Sequence, residues 1–410
     1  MLTVSEIQKI ISEDKSSAKK QSARKGADYY DGKHDIRNYR LFYYDNDGIL
    51  HEDKYRSNVK IPHPFFMELV DQAVQYIFSG EQFAKSDNPE LQLLLDEYFN
   101  YNEEFTAAFS ETLTGCMAKG FEYMFAYKDE NDRIAFQCAD SLGVVEVRAK
   151  DTDSMAEYVI YLYADSTGKN RIQVWDEKQV HFFVQSDNRI IPDGSEPMNP
   201  RPHSLYRGNA DGRTYSKSFG FIPFFRLDNN KKQRSDLEII KDLIDDYDLM
   251  ASSLSNNLID FDMPLYAISG FEGDNLDELH TNLKSKKMIG LDEGGSVDVK
   301  TVDVPYQARL TKLELDEKNI YRFGMGLNIN GLRDTAATTN IAIKAAYSLL
   351  DLKCAKLEIR LKQFMRTIAK PVLDEINDRE NTGYKLSDIY FEFTHEIMSN
   401  ALENSQIKQN

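Results

Sequence analysis

Four carboxylates, Asp242, Asp245, Asp246 and Asp248, crowd into one short stretch and form the densest set of potential metal ligands in the chain. Carboxylates so grouped could hold two magnesium ions for phosphodiester hydrolysis. Their spacing opposes that use. On a helix Asp242, Asp245 and Asp246 fan out over a solvated face, whereas metal sites draw ligands inward from several elements. Other chemistries lack their signatures. Gly168-Lys169-Asn170 has neither the upstream glycine nor the hydroxyl of a phosphate-binding loop. Gly324-x-Gly326 is a fragment of a dinucleotide fingerprint with Ile329 where the third glycine belongs, and it sits at a helix end rather than after a strand. The histidines (His34, His51, His63, His181, His203, His280 and His395) never pair at the i, i+4 spacing of a helical zinc site, and each reads as a surface or satisfied core residue. No Gly-x-Ser-x-Gly elbow exists. The expectation is no enzyme: no catalytic residue, no metal and no cofactor.

The element that carries the acids is itself informative. A helix is expected over 235–261, opened by Ser235 and Glu238 at capping-box spacing. Leu237, Ile240, Ile244, Tyr247, Ala251, Leu254 and Leu258 fall on one face, with Glu238, Asp242, Asp245 and Asp246 opposite. Between 235 and 262 eight acids face Lys241 alone. A compact insertion follows at 262–304, read as strand 265–269, helix 275–283, strand 288–291, a turn at Glu293-Gly294-Gly295 and strand 297–302. It is too small for a large core and is expected to pack against other copies of itself. A second helix is expected over 305–327 and a small, polar loop over 328–340. A long helix then packs through Ile341, Ile343, Ala346, Leu349 and Leu350, and Pro371 should kink or restart it. Two helices returning from one small module suggest a stalk with a tip.

The N-terminal half divides by period. Thr3 and Glu6 have capping-box spacing before a helix that continues through Lys15, Lys19, Lys20, Arg24 and Lys25. That basic stretch is either a solvated face or a contact with an acidic neighbour or a phosphate. Residues 39–49 read as strand-like with a turn at Asn46-Asp47-Gly48, and 57–64 as extended, because each proline keeps its predecessor out of the helical region. Phe66, Leu69, Val70, Ala73, Val74 and Ile77 mark a helix ended by Gly80, and two more are expected over 91–99 and 105–119. From 121 to 227 the period is two, an antiparallel sheet region interrupted by a polar, mobile loop at 199–217.

Bulk properties narrow the function. The chain has 410 residues, 67 acids against 50 bases and a net charge of −17. It is not a generic DNA binder, since duplex affinity comes from cations neutralising phosphates. It could still surround DNA without gripping it, or the acidity could confer solubility alone. Cys116, Cys138 and Cys354 are far apart and read as reduced core residues. The N-terminus does not read as a signal peptide, and no apolar run approaches the ~20 residues of a membrane helix. The default is a reducing, soluble, intracellular setting with no membrane.

In this order the landmarks resemble the portal proteins of tailed bacteriophages, in the branch found in long-tailed phages of Gram-positive bacteria. The resemblance is carried by Tyr29-Tyr30-Asp31-Gly32, Ser57-Asn58-Val59-Lys60-Ile61-Pro62, Leu69-Val70-Asp71-Gln72 through Tyr76, and Ile222-Pro223-Phe224 to Asn229-Asn230. It continues in Ser235-Asp236-Leu237 through Leu243-Ile244-Asp245-Asp246-Tyr247-Asp248, and in Asn340-Ile341-Ala342-Ile343-Lys344. Together these cover most of residues 25 to 375.

The resemblance implies an α+β portal fold: a mixed α/β wing (1–234), stem helices (235–261 and 305–327), a small α/β clip (262–304), a tunnel loop (328–340), a long kinked wing helix (341–378) and a C-terminal segment (379–410). Where relatives continue into a helical crown this chain stops at Asn410, so the crown is expected to be minimal or truncated. The resemblance further implies a ring, usually of twelve subunits, at one capsid vertex, assembled in the host bacterial cytoplasm. Double-stranded DNA would pass through it non-specifically in packaging and ejection. Its partners would be the terminase large subunit, which hydrolyses the ATP, a head–tail adaptor, and the major capsid and scaffolding proteins. Tunnel-loop candidates are Asn328, Asn330, Gly331, Leu332, Arg333, Asp334 and Thr335. Channel-lining stem candidates are Glu238, Asp242, Asp245, Asp246, Arg309, Lys312, Lys318 and Arg322, although the cations could instead pair with the acids at 238–248 between subunits. Clip docking candidates are Glu272, Asp274, Asp277, Glu278, Asp292 and Glu293. The alternatives are another ring-forming virion component, such as an adaptor or baseplate protein, and a magnesium-dependent nuclease.

Overall fold

The computed structural model describes residues 1–80, 82–150, 156–186, 189–207, 214–261, 265–271, 279, 290–300, 305–328 and 340–395. The chain divides into two compact units. The first comprises 1–33, 64–241 and 319–410, and the second 34–63 and 242–318.

The first unit is built on sheets covered by helices. Helix α1 (Val4–Ser16) opens with the expected capping box between Thr3 and Glu6. The helix does not run on through the basic stretch: Ser17 is extended and caps a separate α2 (Ala18–Tyr30). Nor is that stretch all solvated. Lys20 is buried, its ammonium donating to the carbonyl of Val144 at 2.7 Å and to that of Ser141, and pairing with Asp14 at 3.2 Å. Burial pushes the Lys20 pKa down, the expected result of withdrawing an ammonium from water.

An antiparallel sheet runs in the order 189–192, 179–186, 170–175, 158–164, 144–147, with 201–202 beside 179–186. Both its faces are apolar. Val144, Val159, Trp175 and Phe182 point to one side, where Phe121 and Tyr123 join them. Val145, Ile160, Val174 and Phe183 point to the other, where Ile7 of α1 seals them. This is the strand alternation of period two with both sides buried. Strands 224–228, 121–128 and 134–139 form a second sheet. The expected polar loop at 199–217 holds structure instead: strand 201–202 and a hairpin pairing 204–207 with 214–217.

Helix α3 (Phe65–Ile77) buries every apolar position that its pattern marked. Helices α4 (Pro89–Leu95) and α5 (Glu103–Lys119) follow. Phe109 of α5 is fully buried at the centre of an aromatic cluster, with ring centroids 5.1 Å from Phe78, 5.7 Å from Phe105 and 5.8 Å from Phe83.

Helix α6 (Leu237–Phe261) is the acidic helix. Its capping box does not form. The Ser235 hydroxyl accepts from the Leu237 amide and donates to the Ala118 carbonyl, while the Glu238 carboxylate turns to Ser22. The expected apolar face holds only at the start, where Leu237, Ile240 and Ile244 are buried. Further along, Tyr247 is half-buried, Leu258 is exposed, and the buried positions are Asp248 and Ser252.

The second unit contains a hairpin of 42–44 with 50–52 and a second of 265–271 with 291–300. The turn expected at Glu293-Gly294-Gly295 is present as an excursion within a strand, with Gly294 at φ +88°, and not as a connection between two strands. These residues lie inside one strand, Leu291–Lys300, where four residues, 292–295, stand opposite Gly270 alone as the pairing shifts between Ser269 and Phe271. Of the expected helix at 275–283 only residue 279 is described, and it is helical, and of the expected strand at 288–291 only 290 and 291 are described. Helix α7 (Tyr306–Gly324) returns, ending three residues before the expected 327. Helix α8 (Asn340–Glu380) passes through Pro371 without restarting. The proline removes one backbone bond, and burial of Ile368, Ala369, Val372 and Leu373 around it holds the helix together. Of its expected packing residues Leu350 is buried, but Leu349 is exposed and Tyr347 takes the inward position.

Candidate functional site

The carboxylates of α6 do not converge. Glu238 accepts from the Ser22 hydroxyl at 2.7 Å and pairs with Arg234 at 3.4 Å. Asp242 is exposed and Asp245 half-buried. Asp246 pairs with Lys312 at 2.5 Å. Asp248 is fully buried in a different environment altogether. Among the described residues no three His, Cys, Asp or Glu side chains are placed to hold a metal ion.

Asp248 is the hub of a polar clasp that sequence reasoning missed. One carboxylate oxygen lies 2.6 Å from Nδ1 of buried His34. The other accepts from the His63 backbone amide at 2.8 Å and lies 2.9 Å from His63 Nδ1. Tyr247 meets the His63 ring edge-on at 4.8 Å. Burial alone would push the Asp248 carboxyl up. The hydrogen bonds from the two histidines and the amide hold it below the usual carboxylate range.

The clasp is one rung of a ladder. The amides of Ser57, Val59, Ile61 and His63 donate in turn to Asp260 (3.1 Å), Asn256 (2.7 Å), Ser252 (3.0 Å) and Asp248 (2.8 Å). Every second residue of an extended chain thus meets every fourth residue of a helix. Two residues of strand advance about 6.6 Å and four of helix about 6.0 Å, so the two repeats stay in step over four rungs. The sequence carried a signal for this: a polar row at i, i+4, i+8 and i+12 on the helix, opposite a segment held extended by Pro62 and Pro64.

The four cations proposed from the sequence on 305–327 are placed unequally. The Lys312 ammonium lies between Asp246 and Asp316 of the same chain. Partial burial works against its charge, but these two carboxylates outweigh it and raise its pKa. Pairing with the acids of α6 is therefore realised within one chain for this residue. The Arg309 guanidinium lies 2.7 Å from the side-chain oxygen of Asn257, with that amide oriented to accept. Lys318 and Arg322 are exposed, Arg322 lying 5.9 Å from the Phe323 ring centroid.

After Gly324 the chain makes a tight exit turn. Gly326 N–H donates to the Tyr321 carbonyl at 2.9 Å and Met325 N–H to that of Arg322 at 3.4 Å, with Met325 at φ +57°. This is a Schellman helix stop with methionine at the left-handed position. Asn328 is half-buried. The other loop candidates, Asn330, Gly331, Leu332, Arg333, Asp334 and Thr335, lie outside the described residues. So do Glu272, Asp274, Asp277 and Glu278, whereas Asp292 and Glu293 are exposed on strand 291–300.

Residues 10–410 match the family model described as "Phage portal protein, SPP1 Gp6-like". The chain belongs to that family. Two relatives agree: the portal protein of Bacillus phage SPP1 is 27% identical over 366 residues, covering 88% of this chain and 70% of the relative. The portal protein of Clostridium phage phiCD119 is 26% identical over 422 residues, covering 99% and 89%. A chain from a solved structure, "Neck of empty GTA particle computed with C6 symmetry", aligns with a TM-score of 0.47 at 14% identity over 85% of both chains. The resemblance read from the landmarks is borne out, as is the α+β portal fold. This portal protein is a structural, ring-forming component of the phage capsid vertex, in a family that is not enzymatic. No helix among the described residues is long and apolar enough to cross a membrane.

Proposed function

We propose that copies of this portal protein, twelve to a ring, enclose a channel through which double-stranded DNA is packaged and later ejected. In this reading helices 235–261 and 305–327 are the stem, 262–304 the clip and 328–340 the tunnel loop. Residues 1–234 and 341–378 are the wing, and 379–410 the C-terminal segment. The clip docks the terminase large subunit during packaging and then a head–tail adaptor, with Asp292 and Glu293 among the contact residues. The wing meets the major capsid and scaffolding proteins, and the ring assembles in the host cytoplasm.

The observation that carries the reading is the poverty of the second unit's own core. Leu258 and Ile259 on α6, Tyr306, Leu310 and Leu315 on α7, and Val297 and Val299 on strand 291–300 are all exposed in the single chain. Apolar surface on this scale, distributed along two helices and a strand, fits contact with neighbouring copies. The acidic face of α6 fits a wall that repels phosphates over about the 8 Å that physiological salt allows. In this reading exposed Lys318 and Arg322, together with Arg333, guide the strand, while Lys312 is neutralised by Asp246 and Asp316.

Negative-stain images of the purified protein test the ring: a perforated particle with a narrow stalk is expected, and a solid particle would reject it. Replacing Arg333 tests the channel. Rings should persist while nuclease-protected DNA per particle falls. Loss of rings would make Arg333 structural instead.

A further inference from the structure

The glycines of the Gly324-x-Gly326 pair are not at the left-handed position of the helix stop, which Met325 occupies. Their reason lies across the turn. A Cβ at Gly326 would stand 2.0 Å from Leu69 Cδ2, and one at Gly324 2.6 Å from Leu69 Cδ1. The glycines let helix α3 press its side chains onto the backbone of the exit turn.

Three residues along α3, Gln72 uses that proximity. Its carboxamide oxygen accepts from the Leu327 amide at 2.9 Å, and its nitrogen donates to the Leu327 carbonyl at 3.0 Å. The same nitrogen donates to Glu68 at 3.1 Å, which fixes the orientation of the amide. A planar group bonded to both polar atoms of one residue sets direction as well as distance, as a strand pair does. The turn is also held from α8, where Lys353 donates to the Gly324 carbonyl at 3.2 Å while paired with Asp236 at 2.8 Å. Helices α3 and α8 are tied to each other through the Tyr76 hydroxyl and Asp351 at 3.1 Å. The chain therefore leaves α7 at Leu327 in a direction imposed by the framework into which it returns at Asn340.

We propose that Gln72 is a positioning residue for DNA passage: through Leu327 it fixes the point and heading at which the chain leaves the helix stop. The proposal rests on the reading of 328–340 as the tunnel loop. A residue that only filled space would not need both bonds to Leu327.

Particles assembled with Q72A portal protein test it, through ring formation, hydrogen exchange of the peptide holding the Leu327 and Asn328 amides, and nuclease-protected DNA. Rings should form, exchange at Leu327 should quicken by about tenfold for the lost bonds, and protected DNA should fall several-fold. Unchanged exchange overturns the clamp. Faster exchange with normal DNA content overturns the positioning role when R333A, in the same assay, lowers DNA content. If R333A also leaves DNA content normal, the tunnel-loop assignment fails first and takes the role of Gln72 with it. Should Q72A not assemble, Q72E, of the same shape but without the donor to the Leu327 carbonyl, is read by the same outcomes.

Discussion

The two units of the chain are held together by different forces. In the first, strands covered on both faces and the rings around Phe109 make an apolar interior of the usual kind. In the second, the apolar side chains buried among the described residues are Ile36, Ile244 and Leu313, beside buried His34, Asp248, Ser252 and Asp316. Polar bonds join the described segments of the second unit, and many of its described apolar groups, Leu258, Ile259, Leu310 and Leu315 among them, face outward. A protein that must fold alone and then join identical neighbours gains from this division. On the function proposed above, one unit carries the stability of the single chain, and the other keeps its hydrophobic surface for assembly.

Substitutions can break the comparison from either side. Phe109→Ala should cost ~4 kcal/mol, the scale for emptying a packed aromatic site, seen as a large drop in the unfolding midpoint. An effect confined to the second unit would contradict the assignment of Phe109 to the other core. Asp248→Ala should cost ~3 kcal/mol, because His34 and the His63 amide lose a buried charged partner. Hydrogen exchange should rise across 57–63 while the 158–186 strands stay protected. A uniform rise would mean that the clasp supports both units equally.

The clasp also predicts a response to acid. The Asp248 pKa is lower folded than unfolded, so the folded state binds fewer protons and its contribution is complete above the unfolded value near 4. It is lost as pH falls below that value, and Asp248→Asn should remove this part of the acid sensitivity. An unchanged acid limb in the variant would show that other carboxylates govern it. Asn256→Ala, which removes one rung, should cost about 1 kcal/mol and speed exchange chiefly at Val59. The smallest effect is expected in the first unit. Met325→Gly relieves a left-handed methionine worth about 1 kcal/mol, less the packing of its side chain, so a small rise in the unfolding midpoint is expected.

How much of this was legible in the sequence depended on whether a residue's partner was local. Thr3 and Glu6 are three apart, and their capping box formed as read. Ser235 and Glu238 have the same spacing, but Ser22 and Ala118, more than a hundred residues away, took their side chains. The pattern of α3 gave its buried face because burial there is apolar throughout. On α6 the apolar pattern misled beyond Ile244, since the inward row becomes polar to meet the 57–63 amides. Lys20 looked like one cation of a solvated stretch, and only the sheet that supplies the Ser141 and Val144 carbonyls explains its burial. Of the site, the acidic helix and the returning helix were readable as elements. The partners of Lys312 and the grip of Gln72 were not, because each joins segments distant in the chain.

A repeating ladder has a weakness that its rungs share: shifted by one step, strand against helix, most of them would still find a mate. Asn256, Ser252 and Asp260 offer interchangeable acceptors to any backbone amide. Only at Asp248 does the extended segment present an imidazole of its own, with that of His34 bonded to the same carboxylate. The histidines thus act as the key that sets the phase, and a two-residue deletion within 57–61 should move the rungs on its N-terminal side yet leave that key seated.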